Sequence, residues 1–360
     1  MSVVLHKGED CRFVPPPSAE PLRPASGGHG THTVIFNRPP AVIGRMSVVG
    51  DKEGKGPLGA YFHRVEQDAK MGEKCFERAE IRMLECAIEG AVARSGKGIR
   101  DVDMLISGDL LNQMTSSSYV ARSLNMPHIG IYSACSTMTE ALALGACFVD
   151  AGYFDTVACA TVSHFATAER QYRYPLEYGC QRPPYAQWTV TGAACTLLSS
   201  ENAEHGVRVT SATFGKVVDF GVNDLNNMGA AMAPAAMHSL MTLFKDTNTR
   251  PEDYDLILTG DLGKLGSDIL RELMREQGYT FGNNYSDCGA MIYDVNQHCY
   301  QGGSGAGCSS AVVNSFVIDK MLAGVYRRVA YFATGALMSP QSCYQGETIP
   351  CISHGIVLEA

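Results

Sequence analysis

Residues 103–110 read DMLISGDL, and residues 255–262 read DLILTGDL. Four of the eight positions are identical, and the other four match in shape and polarity. Each copy is an apolar run of strand length that ends in Gly-Asp. Each is followed by a segment with helical spacing, LLNQMTSSSYVARSL in the first case and GKLGSDILRELMRE in the second. A second matched pair follows in the same order. HIGIYSACSTMTEALALGACFVDAGYFDTVACAT (128–161) aligns with QGGSGAGCSSAVVNSFVIDKMLAGVYRRVAYFAT (301–334), and within it AGYFDTVA (151–158) aligns with AGVYRRVA (323–330). The first pair is offset by 152 residues and the second by about 172, so the second half carries about 20 extra residues. They fall around NNYSDCGAMIYDVNQHCY (283–300), which reads as a β-hairpin.

Repeated strand–helix–strand units imply two α/β halves with covered sheets. The boundaries expected are a flexible arm at 1–30, rich in Pro, Gly and charge, then halves at 31–205 and 206–360. Between the repeats, CFERAEIRMLECAIEGAVARSG (75–96) has the apolar stripe of a helix, with Gly96 as its stop.

Composition narrows the function. The 360 residues carry a net charge of −8, which disfavours nucleic acid and a polybasic membrane anchor as partners. No apolar run approaches the roughly 18 residues of a membrane span, and the N-terminus does not read as a signal peptide. The 13 cysteines include no CxxC pair and no Cys/His ladder, so they read as reduced, buried thiols, not as a zinc site. No EF-hand loop or nucleotide P-loop is present, and no metal or cofactor is expected.

Several residues stand where chemistry is done. Cys135 opens the helix after the apolar strand HIGIYSA, where unpaired N–H groups and the helix dipole favour a thiolate. Its bland reading is one more buried thiol. His164 follows the strand FDTVACATVS, and ligands of α/β sheets gather at the carboxyl ends of strands. His354 lies in the C-terminal turn PCISHG, three residues after Cys351. Ser304 lies in the Gly302–Gly305 turn, whose N–H groups could cradle an oxyanion or carboxylate. Asp261 and Asp109 end the repeated strands, and Asp287 precedes Cys288-Gly289, so all three also read as helix caps. The segment ATAERQYRYPLEYGCQRPPY (166–185) reads as a loop. Its Arg170, Arg173 and Arg182 stand among Tyr and Pro, a composition that suits an aromatic anion.

Duplicated halves with a cysteine opening the first half's central helix resemble the thiolase and ketoacyl-synthase superfamily. Within it the chain resembles the stage V sporulation AD family. The residues that carry this run the length of the chain: KGPLG (55–59), GDLLNQ (108–113), YVAR (119–122), ACST (134–137), SHFATAERQYRYPLEYG (163–179), MAPAA (232–236), YDLILTGDL (254–262), DCGAMIY (287–293), GGSGAGCS (302–309) and IPCISHG (349–355). The resemblance implies a five-layer αβαβα sandwich built from two duplicated halves, as a homodimer. It makes Cys135 the counterpart of the acylated cysteine and Cys351 that of the second thiolase thiol. Condensing enzymes place a His at the turn after YDLILT, where this chain has Gly260-Asp261. Ketoacyl synthases have a Gly-Asn turn, where this chain has Gly303-Ser304.

The family implies a pseudo-enzyme that binds dipicolinic acid (pyridine-2,6-dicarboxylic acid), alone or as its calcium chelate, for uptake into the developing spore. Its implied partners are the SpoVA membrane proteins of the same operon, which would hold the chain at the spore inner membrane. The binding residues expected are Cys135, His164, Ser304, His354, Asp287, Asp261, Arg170 and Arg173. The alternatives are an active acyl-CoA condensing enzyme using Cys135 and an inert scaffold for membrane partners.

Overall fold

The computed structural model describes residues 32–172, 182–201 and 206–360. The expected N-terminal arm, and Arg173, lie outside the described residues. Five strands of the first half run in the order Ala41–Gly50, Gly192–Ser199, Thr156–Ser163, Met104–Asp109, His128–Gly130. Five of the second run Arg208–Thr213, Cys351–Glu359, Arg328–Ala336, Leu256–Thr259, Tyr285–Asp287. The two repeated strands, Met104–Asp109 and Leu256–Thr259, hold the same place in each order. Each is parallel to both its neighbours, whereas the remaining pairs within each five are antiparallel. A single residue pair, Ala41 with Arg208, joins the two fives into one sheet.

Helices fill three layers around these sheets. Thr137–Asp150 lies in the middle, in contact with strands of both halves, beside the helix that begins at Ala306. Phe76–Ser95 and Thr115–Leu124 cover the first sheet on its outer side, and Met228–Thr247 and Gly263–Glu276 cover the second. The central helices are buried on both faces. This explains their composition: Thr137–Asp150 reads TMTEALALGACFVD, and small side chains let two sheets close on it. The outer helix Phe76–Ser95 buries Ala79, Met83, Leu84, Ala87, Ile88, Ala91 and Val92 and stops at Gly96 in the left-handed conformation. Among the described residues no helix is long and apolar enough to cross a membrane.

Two expectations are corrected. Residues 283–300 are not a hairpin. Tyr285–Asp287 is a parallel edge strand beside Leu256–Thr259, and Asp287 then caps the helix Cys288–Ile292 by accepting from Ala290 N at 3.0 Å. The segment after His164 is not wholly a loop, because Phe165–Tyr172 is helical and buries Ala166, Thr167, Ala168 and Glu169.

One buried acid sets a pH dependence. Glu80, on the inner face of Phe76–Ser95, is pushed up to about 8 by burial and then by the neighbouring Asp109 carboxylate. The folded protein therefore holds this proton more tightly than the unfolded chain. Its contribution to stability is fully present below the ordinary value of 4.5 and is lost as pH rises through about 8. Urea melts of Glu80→Gln between about pH 5 and pH 9 should show a shallower loss of stability with rising pH than wild type. An unchanged slope contradicts this assignment.

Candidate functional site

Cys135 sits on a short 3₁₀ turn, Ala134–Ser136, immediately before Thr137–Asp150. Ala134 has φ +51°, a left-handed backbone that costs an L-residue roughly 1–2 kcal/mol. That turn aims the cysteine at the carboxyl-end edge of the first sheet. The thiol lies 3.5 Å from Ser304 Oγ, and Gly305, next in the turn, donates its N–H to Asp261 Oδ1 at 3.1 Å. Gly305 has φ +125°, and an added Cβ there would lie 2.8 Å from Ser163 Oγ, so only glycine presents its N–H in this way.

The expected thiolate is corrected. Burial pushes the Cys135 thiol far up, and the nearby Asp261 pushes it further. A helix N-terminus contributes up to about 2 kcal/mol in good partly buried geometry, whereas burying an unpaired ion costs several kcal/mol. The chain supplies a dipole at Cys135 but no described cation beside it, so burial wins.

Asp261 is fully buried behind Gly305, whose N–H reaches Asp261 Oδ1 at 3.1 Å. Burial raises its carboxyl well above the ordinary range, and the neighbouring Asp287 adds to this. Gly260, just before it, has no space for a side chain. A Cβ would stand 2.9 Å from Ala333 Cα, 3.0 Å from Ala333 Cβ and 3.1 Å from Ser309 Cβ.

The other expected residues scatter. His164 faces away from Cys135. Its Nδ1 accepts from Ala166 N at 3.1 Å, so Nε2 carries the hydrogen and donates to Ala69 O at 2.8 Å, with the ring against Phe76. Burial lowers its pKa. Strand alternation explains this placement. Ser163, one residue earlier, faces inward and accepts from Gly307 N. His354 donates its backbone N–H to Ser136 Oγ at 3.0 Å, but its ring accepts from Gly215 N at 3.3 Å. Burial drops it to about 4, so it is neutral. Asp287 accepts from Thr259 Oγ1, Leu262 N, Gly263 N and Ala290 N at 2.7–3.0 Å, and burial lifts it to about 6. It pins the turn that carries Asp261. Arg170 pairs with Glu77 on the half-exposed outer face. Cys351 is buried, with its thiol turned to Ile349 O at 3.4 Å.

Of the expected set, Cys135 and Ser304 line one cavity of about 380 Å³, with Asp261 directly behind its wall. That volume lies in the roughly 300–1,000 Å³ range of small-molecule sites. Tyr132, Tyr172, Leu110, Met228, Met232 and Met338 supply its apolar wall. Its polar side was missed in the sequence. Gly303–Ser304 pairs in parallel with Trp188–Thr189, which sets Thr189 beside Ser304. Gln187 donates to Asp261 O at 2.6 Å and Gly303 O at 3.2 Å. Arg182 pairs with Glu169 at 2.8 Å, donates to Gln187 O at 2.6 Å, and lies 4.4 Å over the Trp188 ring. Only Arg182 had a signal, its place in the Arg/Tyr/Pro segment; QWT at 187–189 matches no motif. Among the described residues no cluster of His, Cys, Asp and Glu could hold a metal ion.

Duplicated sheets around paired central helices, with a cysteine at the first central helix and a cavity over it, define the thiolase and ketoacyl-synthase fold. Solved structures agree. The chain is similar to 3-oxoacyl-[acyl-carrier-protein] synthase III from Aquifex aeolicus, with a TM-score of 0.57 and 11% identity over 89% of this chain and all of that one. It is equally similar to human mitochondrial 3-ketoacyl-CoA thiolase in complex with CoA, with a TM-score of 0.57 and 10% identity over 92% of this chain and all of that one. Residues 30–359 match the family model of stage V sporulation protein AD, and the chain belongs to that family. The curated stage V sporulation protein AD of Bacillus subtilis is 43% identical over 330 residues, which span 92% of this chain and 97% of that protein.

Proposed function

We infer that this sporulation protein is non-catalytic and binds dipicolinic acid in the cavity over Cys135, for uptake into the developing spore with the SpoVA membrane proteins. One observation carries the loss of catalysis. The turn where condensing enzymes hold a histidine is Gly260-Asp261, and Gly260 has no space for any side chain. Ser304 stands in place of the asparagine, and the thiol is held protonated. A condensing step needs donors aimed at the enolate oxyanion and a group to move its proton. His164 and His354 are both neutral and turned elsewhere.

The cavity suits a small planar carboxylate. Tyr132, Tyr172 and the methionines offer a flat apolar wall, while Ser304 Oγ and the Arg182 guanidinium offer donors. The chain acts at the spore inner membrane through its membrane partners, as a homodimer. Calorimetric titration with dipicolinate should show saturable binding. Arg182→Ala should weaken it roughly 30-fold or more, the effect of removing a charge-assisted hydrogen bond from a buried carboxylate. No binding to wild type defeats this reading. The retained thiol favours one other reading, acyl transfer, and an acyl adduct on Cys135 after incubation with acetyl- or malonyl-CoA would establish it.

A further inference from the structure

A second cleft, of about 230 Å³, lies where the two sheets meet. Val42, Gly44 and Arg45 of the strand Ala41–Gly50 form one side, beside the single residue pair that joins the sheets. Arg94, near the end of Phe76–Ser95, forms another, and Ile318 and Leu322 close it from the end of the second central helix. The helical run from Ala306 to Leu322 sets this cleft about 25 Å from Ser304, well outside the cavity over Cys135.

Arg45 is held ready there. Its side chain is 17% exposed and donates to Asn314 O and to Asp319 Oδ1, each at 2.6 Å. Asn314 lies in Val313–Val317, a π turn within the central helix, and such turns recur at functional sites. Arg94 comes from the outer helix. It is exposed and has no partner among the described residues. Among the described residues no acid lines the cleft, and Asp319 offsets only one of the two guanidinium charges.

His63 adds a donor. Its Nδ1 accepts from Ser47 N at 3.0 Å, and a turned-over ring would set a carbon against that N–H. Burial, then Arg94 and Arg45, lower its pKa to about 4, so the ring is neutral and its hydrogen is on Nε2. Nε2 lies 3.3 Å from Arg45 Nη1. Two donors thus face each other, an arrangement that an anionic oxygen seated against both relieves.

These groups suit a ligand with several oxygens and one negative charge. Guanidinium forks grip phosphate through parallel N–H···O bonds, and a phosphodiester carries a single charge. The volume is below the roughly 300–1,000 Å³ of a drug-sized site, so it fits a small polar group. Ile318 and Leu322 offer a wall for an apolar substituent. Leu322 and, three residues on, Val325 are both 56% exposed, an apolar rim of the kind that meets a lipid surface beside basic groups.

We propose that Arg45, His63 and Arg94 form a binding site for a singly charged phosphodiester, at the opposite end of the central helix from the cavity. It stands independently of the reading given above.

Two probes test this on the full chain at low salt. Dibutyl phosphate, a soluble phosphodiester, is titrated by calorimetry. Vesicles of phosphatidylglycerol are tested by co-sedimentation, with phosphatidylcholine vesicles as control. The net charge of −8 gives the chain no general attraction to anionic vesicles. Wild type should bind dibutyl phosphate saturably. Arg94→Ala should weaken it roughly tenfold while melting like wild type, because Arg94 has no contact to lose. Arg45→Lys should weaken it as well, since an ammonium keeps the charge but loses the fork. Vesicle binding that Arg94→Ala weakens assigns a lipid headgroup as the source. Binding of dibutyl phosphate alone assigns a soluble ester. If neither probe binds wild type, or if Arg94→Ala leaves the binding unchanged, the proposal is overturned.

Discussion

Histidine in place of Gly260 should unfold the protein, not place an acid–base group beside Cys135. The strand Leu256–Thr259 runs against Arg328–Ala336, and Gly260 N continues the ladder by donating to Phe332 O at 3.0 Å. The carbonyl of Gly260 accepts from Gly289 N at 3.2 Å, so the residue is held from both sides. A Cβ there meets Ala333 Cα at 2.9 Å, and a backbone atom cannot swing aside. Inserting one methyl into such packing costs about 1–3 kcal/mol, and an imidazole adds several more atoms with nowhere to go. Gly260→Ala should therefore lower the melting temperature by several degrees, and Gly260→His should leave little folded protein. A Gly260→His variant that melts like wild type would contradict the packing argument. One that also transfers acyl groups would contradict the functional reading.

The second large effect is expected at Asp287. Its carboxylate accepts four hydrogen bonds, from Thr259 Oγ1, Leu262 N, Gly263 N and Ala290 N. Asp287→Ala strands those donors in a closed interior, and a loss of about 3–5 kcal/mol is expected. It also frees the turn that carries Asp261, and with it the anchor of Gly305 N–H under the cavity. Asp287→Asn should fall between, because its Nδ2 brings hydrogens to a place crowded with donors. Chemical denaturation reads both. A loss for Asp287→Ala below about 1 kcal/mol would mean that the turn holds itself.

The fold was legible because its deciding signal is local and doubled. DMLISGDL and DLILTGDL each end a buried parallel strand at a helix, and the structure puts both at the same place in their sheets. The hairpin reading of 283–300 failed for a related reason. A three-residue parallel edge strand has too few residues to show its period, and its cap, Asp287, looks like a turn residue. Phe165–Tyr172 was missed because the Tyr and Pro density that follows it hid a helix whose buried face is only Ala, Thr and Glu.

The site was legible at its centre and not at its rim. Cys135 was found from a strand–helix junction, and Ser304 from the matching junction of the second half. The state of the thiol was not, because the dipole is readable from sequence order whereas burial depends on segments distant in sequence, such as those carrying Ser304 and Asp261, meeting at Cys135. His164 and His354 lie at the right ends of strands, but a one-residue parity decides which face a ring takes. Arg182, not Arg170, lines the cavity for the same kind of reason: Arg170 points outward to Glu77, and Arg182 is turned in by Glu169 and Trp188. Gln187 and Thr189 enter the site only through the two-residue pairing with Gly303–Ser304, which no sequence pattern announces.

The most direct test of the central claim is a crystal structure of the protein grown with dipicolinate and calcium. The account predicts planar density in the cavity between Cys135 and Arg182, in contact with Ser304 and Gln187, and no covalent bond to the Cys135 sulfur. Ligand density elsewhere, an empty cavity at saturating ligand, or an acylated Cys135 would contradict it.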